Sequence, residues 1–318
     1  MQTFNALFAD LDPRRENSRH EFCEILFIAT AATLCGAKNC SDMARFGQEK
    51  EAMLRTVLTL EHGIPSHDVF SGVFRKLDRE AFAAAFAEFT AKLATARRHR
   101  HIAIDGKVMR GAVDAAERHL PPRLMVTAWG SEVRLSLAAQ PAEGGNESQA
   151  ALDLLGLLDL DGATVTADAL HCTAAFAGRV VDAGGDYCLA LKGNQPKLAA
   201  AAAAIVEARR LVAAVDVECE KAHGRHEVRS ARVFKLTQKA AKELAFPGLA
   251  AIGEVRRSRI VAGEVKEESC LYVLSEVIGA RDLNVLVRSH WDIENGLHWS
   301  LDVVFREDEC RSRTDNAP

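Results

Sequence analysis

The stretch HIAIDGK, residues 101–107, decides the fold of this chain. It is a short apolar run that closes on an Asp-Gly pair, and this pattern predicts a buried strand that ends in a turn. Upstream of it the sequence is helical in character, whereas downstream short apolar runs alternate with helical stretches. The chain therefore divides near residue 99 into a helical part and an α/β part.

The segments that follow residue 107 come in a defined order. RLMVTAWGS (123–131) and EVRLSLAAQPA (132–142) are two strands close enough to form a hairpin. A helix, the strand ATVTADAL (163–170), a second helix and the strand DYCLALKGN (186–194) come next. The order β-β-β-α-β-α-β, completed by a terminal helix, predicts an α/β fold with a ribonuclease H-like mixed sheet.

The domain organisation follows from the same change of pattern. Residues 1–98 read as several short helices ending in a basic tail, which predicts a small helical domain and a candidate for DNA binding. Residues 99–318 form the second domain, with a β-rich insertion at about 212–276. Residues 221–259 of that insertion contain ten Lys or Arg and three Glu, in a chain whose net charge is −4. A solvated, strand-rich surface and a face that holds nucleic acid both explain this local charge.

The composition sets outer limits on the class of protein. With 48% hydrophobic and 26% charged residues, the 318-residue chain is ordinary globular protein. No apolar run is long enough for a membrane span, and the first residues lack the pattern of a secretory signal. The eight scattered cysteines suit reduced thiols better than a disulfide framework. We therefore expect a cytoplasmic protein with no membrane partner.

Three acidic residues stand at informative places. Asp105 follows the first strand of the predicted sheet and Asp168 the fourth, and these two strands are neighbours in a ribonuclease H-like sheet. Glu294 lies in RSHWDIENGLHWSLDVVF (288–305), where α-helical spacing places it on one face with mostly apolar residues. A carboxylate on such a face is costly unless a cation compensates it, so we expect Glu294 to face inward beside the two aspartates.

Such a set of carboxylates predicts a metal site. Three neighbouring carboxylates repel one another, a divalent cation removes the repulsion, and oxygen ligands select Mg²⁺ or Mn²⁺. Two ions of this kind can activate a water or a 3′-hydroxyl and stabilise the leaving oxygen in phosphodiester displacement. Asp105, Asp168 and Glu294 are therefore predicted as both the catalytic and the metal-binding residues.

Each acid also has an ordinary structural explanation. Asp105 before Gly106 is typical of a turn, and Asp168 is typical of a helix cap. Glu294 could form a buried ion pair with Arg288 or a histidine. The joint order of strand, strand and helix favours a common site over three independent explanations.

Other residues give weaker indications. Lys192 and Asn194 follow the fifth strand, where a phosphate contact and an ordinary turn are both reasonable interpretations. His171 and Cys172 lack a third group that would complete a nucleophile–base pair, which favours a packing or DNA-contact role. The sequence has no Walker loop and no G-x-G-x-x-G motif, which argues against an ATP-driven or dinucleotide-dependent enzyme.

These motifs resemble the signature blocks of a known family. IAIDGKVMRG (102–111), VTADALHC (165–172), YCLALKGNQP (187–196), HGRHEVR (223–229) and the block from Arg288 onward are similar to those of insertion-sequence transposases of the ISAs type, which include the H-repeat-associated proteins. FADLDPRRENSRHEF and GIPSHDVFSGVFRKLD resemble the helical domain that precedes the catalytic domain in that family. The resemblance covers essentially the whole chain.

The resemblance implies a DDE transposase, named for its two aspartates and one glutamate. It implies metal-dependent cleavage at element ends and strand transfer into target DNA, with Asp105, Asp168 and Glu294 as the catalytic acids and two Mg²⁺ or Mn²⁺ ions as cofactors. The implied partners are the terminal inverted repeats and the target DNA, with a homodimer joining two ends. Association with the bacterial nucleoid follows from such partners.

One departure from the broader superfamily affects the expected DNA contacts. Its Tyr, Arg and Lys around the glutamate fall here on Val287, His290 and Leu301. Histidines of the HW-IEN-LHW block are therefore candidates to handle phosphate in their place. The predicted DNA-binding residues are Lys107, Lys192, Asn194, Arg225, Arg288, His290 and His298.

Two alternatives remain open at the level of sequence. Members of the family continue beyond the NAP at which this chain stops, which implies a C-terminal truncation and allows a catalytically inactive, DNA-binding remnant that acts as an inhibitor. A general nuclease or junction resolvase on the same fold would instead cut DNA without preference for element ends.

Overall fold

The computed structural model describes residues 2–14, 18–94, 101–110, 123–211, 213–222, 225–261 and 264–309. The predicted α/β class is confirmed, because these residues combine helices with one large mixed sheet. The described helices include none that is long and apolar enough to cross a membrane.

The N-terminal part of the described chain is helical. Its apolar faces enclose a core of their own, in which Ile25, Ile28 and Phe70 are completely buried. Local signals fix helix starts here; the side chain of Asn39, for example, accepts a hydrogen bond from the backbone N–H of Asp42. The helices are α1 (Gln2–Phe8), α2 (Phe22–Leu34), α3 (Cys40–Glu49), α4 (Glu51–Leu54), α5 (His67–Phe74) and α6 (Arg79–Ala94).

The remainder of the chain builds the sheet and the helices that cover it. The first half consists of β1 (His101–Val108), β2 (Leu124–Gly130), β3 (Leu135–Pro141), α7 (Glu147–Leu155), β4 (Thr164–Ala167), α8 (Ala174–Asp182), β5 (Asp186–Leu191) and α9 (Pro196–Arg209). The second half consists of β6 (Val215–Ala222), β7 (Arg225–Lys235), α10 (Gln238–Leu244), β8 (Ala251–Val261), β9 (Glu264–Leu274) and α11 (Ala280–His290).

The nine strands of the described residues belong to one sheet, in the order β3-β2-β1-β4-β5-β9-β8-β7-β6. β4 runs parallel to both β1 and β5, and the other neighbouring pairs are antiparallel. The inserted strands are joined to the first half through hydrogen bonds between β9 and β5. The β-rich insertion is therefore a continuation of the sheet.

Helices cover both faces of this sheet. Leu154 of α7, Phe176 of α8 and Val206 of α9 lie in one buried cluster with side chains of β4, β5 and β8. Leu283 and Val287 of α11 lie in a different cluster with residues of β5, β8 and β9. Because alternate residues of a strand point to opposite faces, the two clusters lie on opposite sides of the sheet.

The first strand is longer than predicted. The turn expected at Asp105-Gly106 is wrong, because β1 continues to Val108 and pairs with β2 throughout: Asp105 lies opposite Thr127 and Gly106 opposite Val126. Pairing with β2 keeps the chain extended through Asp105 and Gly106, and it outweighs the local preference of an Asp-Gly pair for a turn.

The C-terminal helix also differs from the predicted one. α11 ends at His290, and Ile293–His298 and Ser300–Val304 then form π-helical turns. A π-helix has more residues per turn than an α-helix, so side chains after residue 292 point in other directions than a step of 100° per residue predicts. We call residues 293–304 the π-segment.

Candidate active site

Two of the predicted acids lie where the parallel pairing of β1 with β4 ends. The last pair is Ile104 opposite Ala167; Asp105 is the next residue within β1, and Asp168 is the first residue after β4. Asp168 also caps a short 3₁₀ turn, because its Oδ1 accepts a hydrogen bond of 2.9 Å from the backbone N–H of Leu170. The helix-cap interpretation of Asp168 is thus correct for one of its oxygens.

Asp105 occupies an environment that disfavours its charge. Burial raises the pKa of its carboxyl to about 7, against a hydrogen bond from the backbone of Gly106 that lowers it. The negative charges of Glu294, Asp168 and Glu147 add to the rise in pKa. Asp168 and Glu294 are therefore both close enough to Asp105 to act on its carboxyl through their charges.

Glu294 reaches this neighbourhood from the π-segment, but it does not face inward. Ile293, one residue earlier, is completely buried against Ala103 and Trp129, whereas Glu294 is exposed. The prediction that Glu294 lies on a buried face is wrong, since the π-helical turns rotate it away from that face. Its charge nevertheless raises the pKa of Asp105, so the exposed Glu294 carboxylate is near Asp105.

A fourth acid, Glu147, also lies near Asp105 and was not predicted from the sequence. It begins α7, and its carboxylate lies directly against the backbone of Gly106, where a Cβ atom would collide with it. Its Oε1 lies 3.4 Å from Nε2 of His171, whose side chain is 1% exposed. An acid in the first turn of a helix is common, so no local signal marked Glu147; the glycine that makes room for it was the available clue.

Two histidines, His101 buried and His290 half-buried, share one hydroxyl beside Asp168. Oγ1 of Thr166 lies 2.7 Å from Nε2 of His101 and 3.0 Å from Nδ1 of His290. Burial lowers the pKa of His101 to about 3 and that of His290 to about 4, so both rings are neutral at physiological pH. The ring of His290 is therefore a neutral imidazole, in which one nitrogen can donate a hydrogen bond and the other can accept one.

The second histidine of the HW-IEN-LHW block also adjoins the acids. Nδ1 of His298 lies 3.7 Å from Oδ2 of Asp105. Burial lowers the pKa of His298, with a further contribution from the charge of Lys107.

The other predicted DNA contacts are scattered around this site. Lys192 and Arg288 are exposed or half-exposed, and Nη1 of Arg288 lies 3.8 Å from Oε2 of Glu218. The side-chain amide of Asn194 donates to the backbone oxygens of Ala169 and Cys172, and so supports the turn that follows Asp168. Arg225 starts β7, but its side chain lies outside the described part of the chain.

Lys107 has a different environment from the other predicted DNA contacts. It is 8% exposed, and its Nζ lies 2.7 Å from Oδ1 of Asp302, 2.9 Å from Oε2 of Glu307 and 3.6 Å from Oδ1 of Asp308. The structure thus surrounds this ammonium group with carboxylates of the chain itself.

The positive charge of the insertion is largely paired within the sheet. Glu254, 1% exposed, is surrounded by guanidinium groups: Arg256 at 2.9 Å, Arg210 at 3.3 Å and Arg232 at 3.6 Å. Elsewhere on the same strands, Arg257 pairs with Glu268 and Arg259 pairs with Glu227. Around Glu254 the arginines outnumber the acids, so a positive excess persists there.

The side chains of this site that could bind a metal ion are carboxylates, so the available ligand atoms are oxygens. Among the described residues, no group of three or more His, Cys, Asp or Glu side chains stands in an arrangement that would hold a metal ion as it is. The charges of Asp168, Glu294 and Glu147 nevertheless all act on the carboxyl of Asp105 and raise its pKa. Carboxylate oxygens are the donors that a hard divalent cation prefers, and Glu294 is exposed and so does not complete such a donor set here.

Comparison with known proteins identifies relatives of this chain. Residues 96–317 match the family described as Transposase DDE domain, and residues 5–90 match the family described as DDE_Tnp_1-associated. An uncharacterized protein in the dhlA 3′ region of Xanthobacter autotrophicus is 38% identical over 278 residues, which cover 83% of this chain and 91% of that protein.

Two relatives from Escherichia coli carry transposase names. The putative transposase YncI of strain O157:H7 is 32% identical over 94% of this chain and 78% of its own length. The H repeat-associated putative transposase YhhI of strain K12 is 29% identical over 94% of this chain and 81% of its own length. With a family match over more than half of its residues and these relatives, the chain belongs to the DDE transposase family.

Proposed function

We propose that this transposase cleaves the ends of an insertion sequence and transfers them into target DNA, in a reaction that depends on a divalent cation. The observation that carries the proposal is the position of Asp105 and Asp168, each directly after the last residue by which β1 and β4 pair; burial and neighbouring carboxylates also raise the pKa of Asp105 to about 7. A protein keeps such a costly group where the charge has a use, and perturbed carboxyls of this kind cluster at functional sites.

Asp105, Asp168 and Glu294 are the residues that would hold the cations. Bound there, Mg²⁺ or Mn²⁺ would lower the pKa of an attacking water or 3′-hydroxyl and stabilise the leaving oxygen of the phosphodiester. The strands hold the two aspartates in fixed positions, and the exposed Glu294 can adjust to them.

The surrounding residues would bind and orient the DNA. The neutral ring of His290 can donate one hydrogen bond to a phosphate oxygen, and exposed Lys192 can pair with the backbone charge. We assign residues 1–98 to a helical domain and 99–318 to the catalytic domain, with a homodimer bringing two element ends together.

A strand-transfer assay tests this function. The purified protein is incubated with Mn²⁺ and DNA that carries the inverted repeats flanking its gene, in parallel with the Asp105→Ala variant and with DNA whose ends are scrambled. We expect cleavage at the repeats and joined products from the unchanged protein, and neither from the variant.

The same assay separates the alternatives. Binding without cleavage that is unchanged by Asp105→Ala would replace the proposal by an inactive DNA-binding remnant. Equal cutting of the scrambled ends would replace it by a nuclease without end recognition.

A further inference from the structure

Lys107 and Asp105 lie on the same face of β1, because they are two residues apart in a strand. The side chain of Lys107 is nearly buried, and three carboxylates surround it at 2.7–3.6 Å from Nζ. Nζ of Lys107 donates hydrogen bonds to the carboxylates of Asp302 and Glu307, which compensate the burial of its charge.

The carboxylates around Lys107 all come from the end of the described chain. Asp302 belongs to the π-segment itself, and Glu307 and Asp308 lie in the 3₁₀ turn that follows it. Arg110 adds a second cation at 3.7 Å from Oδ2 of Asp308. The ion pairs therefore connect the end of β1 with the C-terminal side of the π-segment.

The π-segment depends for its stability on contacts with the rest of the fold, such as these ion pairs. π-helical turns are rare and occur mostly as short stretches, so the local sequence contributes less to their stability than it does in an α-helix. Its N-terminal side is anchored by Ile293, which is buried against Ala103 and Trp129. Lys107 anchors its C-terminal side, and Glu294 lies between the two anchors.

We propose that Lys107 is a positioning residue, which holds the π-segment against β1 and thereby sets the place of Glu294, and that it does not contact DNA. A lysine that already carries two short ion pairs and is 8% exposed could reach a phosphate only by leaving its carboxylates unpaired. The inference rests on the proposed role of Glu294 in catalysis, but its structural part stands without that role.

Lys107→Met and Lys192→Met form a matched pair that tests the inference. Each removes one positive charge and keeps an unbranched side chain, but Lys192 is exposed and Lys107 is not. Hydrogen exchange of residues 293–304 is measured in the full chain without DNA. We expect exchange at least about tenfold faster in Lys107→Met, since losing one partner of a buried ion pair changes a local equilibrium by more than that factor.

The salt dependence of the affinity for DNA is a second measurement that distinguishes Lys107 from Lys192. A lysine that contacts a phosphate contributes about 0.9 to the slope of log K against log salt concentration. We expect Lys192→Met to lower this slope and to leave exchange of the π-segment unchanged. Lys107→Met should leave the slope unchanged and lower kcat for cleavage, with little effect on KM.

Two results would overturn the inference: unchanged exchange of residues 293–304 in Lys107→Met, or a salt slope lowered in this variant as much as in Lys192→Met. If Lys107→Met does not fold, Asp302→Asn removes the 2.7 Å partner and leaves the lysine in place, and the same acceleration of exchange is required of it. If the unchanged protein cleaves no DNA, the proposed function fails, while the exchange measurement still decides the role of Lys107.

Discussion

The acids of this site are held in two different ways. Asp105 and Asp168 follow the last paired residues of two parallel strands, in the middle of a nine-stranded sheet. Glu294 lies on a π-segment that is attached to the sheet by the apolar side chains of Ile293 and Leu297 and by the ion pair of Asp302 with Lys107. The strand-borne acids are fixed by backbone hydrogen bonds, whereas the place of Glu294 depends on side chains.

Because of this difference, the charges of Asp105 and Glu294 affect the stability of the fold differently. Asp105 is buried among like charges, so keeping it ionised reduces the stability of the fold. Glu294 is exposed, and its charge costs little until it is brought to the aspartates. We therefore expect substitutions at the two positions to have similar effects on catalysis but different effects on stability: a gain at Asp105 and no change at Glu294.

The largest expected effect is that of Asp105→Asn on cleavage. Cation-assisted stabilisation of a phosphoryl transition state is worth several kcal/mol, so the rate should fall by about 10³-fold or more. The melting temperature at pH 8 should rise, because a neutral amide removes the repulsion of the neighbouring carboxylates. A gel-based cleavage assay and a thermal melt of the same preparation measure both, and a lower melting temperature would contradict our account of Asp105.

Glu294→Gln should reduce cleavage to a similar extent but leave stability alone. An exposed side chain replaced by one of the same shape changes the free energy of unfolding by no more than about 0.5 kcal/mol. Urea unfolding of this variant and of Asp105→Asn, side by side, checks the contrast. A large loss of stability in Glu294→Gln would mean that the glutamate is part of the packing and not free to move.

The pH dependence of stability should reveal Asp105 in the protein without added metal. Because its pKa is raised above the ordinary 3.8, the folded state binds this proton more tightly than the unfolded state does, and stability is lost as the pH rises from about 4 to 7. The loss is at most about 1.4 kcal/mol per pH unit. Subtracting the profile of Asp105→Asn isolates this group, and a difference that does not change over that range would refute the raised pKa.

The smallest expected effect is that of Glu147→Gln on the pKa of Asp105. Removing one of the charges that raise the pKa of Asp105 should lower that pKa, while burial keeps it above the ordinary value. Carboxyl titration by ¹³C NMR measures the change. Glu143→Gln, an exposed acid four residues earlier that pairs with Arg79, is the matched control and should leave the titration of Asp105 unchanged.

The sequence predicted the strand-borne half of the site better than the helical half. Short apolar runs predicted the strands that precede Asp105 and Asp168, and the order of elements predicted that these two strands are neighbours. The direction of Glu294 was mispredicted because the change from α- to π-helical turns has no pattern in the residues from Trp291 onward that periodicity could detect.

The contacts of Lys107 and Glu147 were beyond sequence reasoning for another reason. Lys107 meets Asp302, and Glu147 meets Gly106, across long separations in the chain. A lysine after an Asp-Gly pair looks like an exposed cation unless the strand is known to continue past it. Pairing over such distances follows from the closed fold and leaves no trace in local composition.

The attachment of β9 to β5 has a consequence for how proteins of this architecture can vary in length. β9 supplies hydrogen-bond partners along Cys188–Leu191 of β5, with Leu274 opposite Cys188 and Leu271 opposite Leu191. Excising the strands between the second aspartate and the glutamate would leave β5 as a bare edge, open to pairing with another molecule and to aggregation. Shorter and longer versions should therefore differ at the far tips of these strands, with their bases retained.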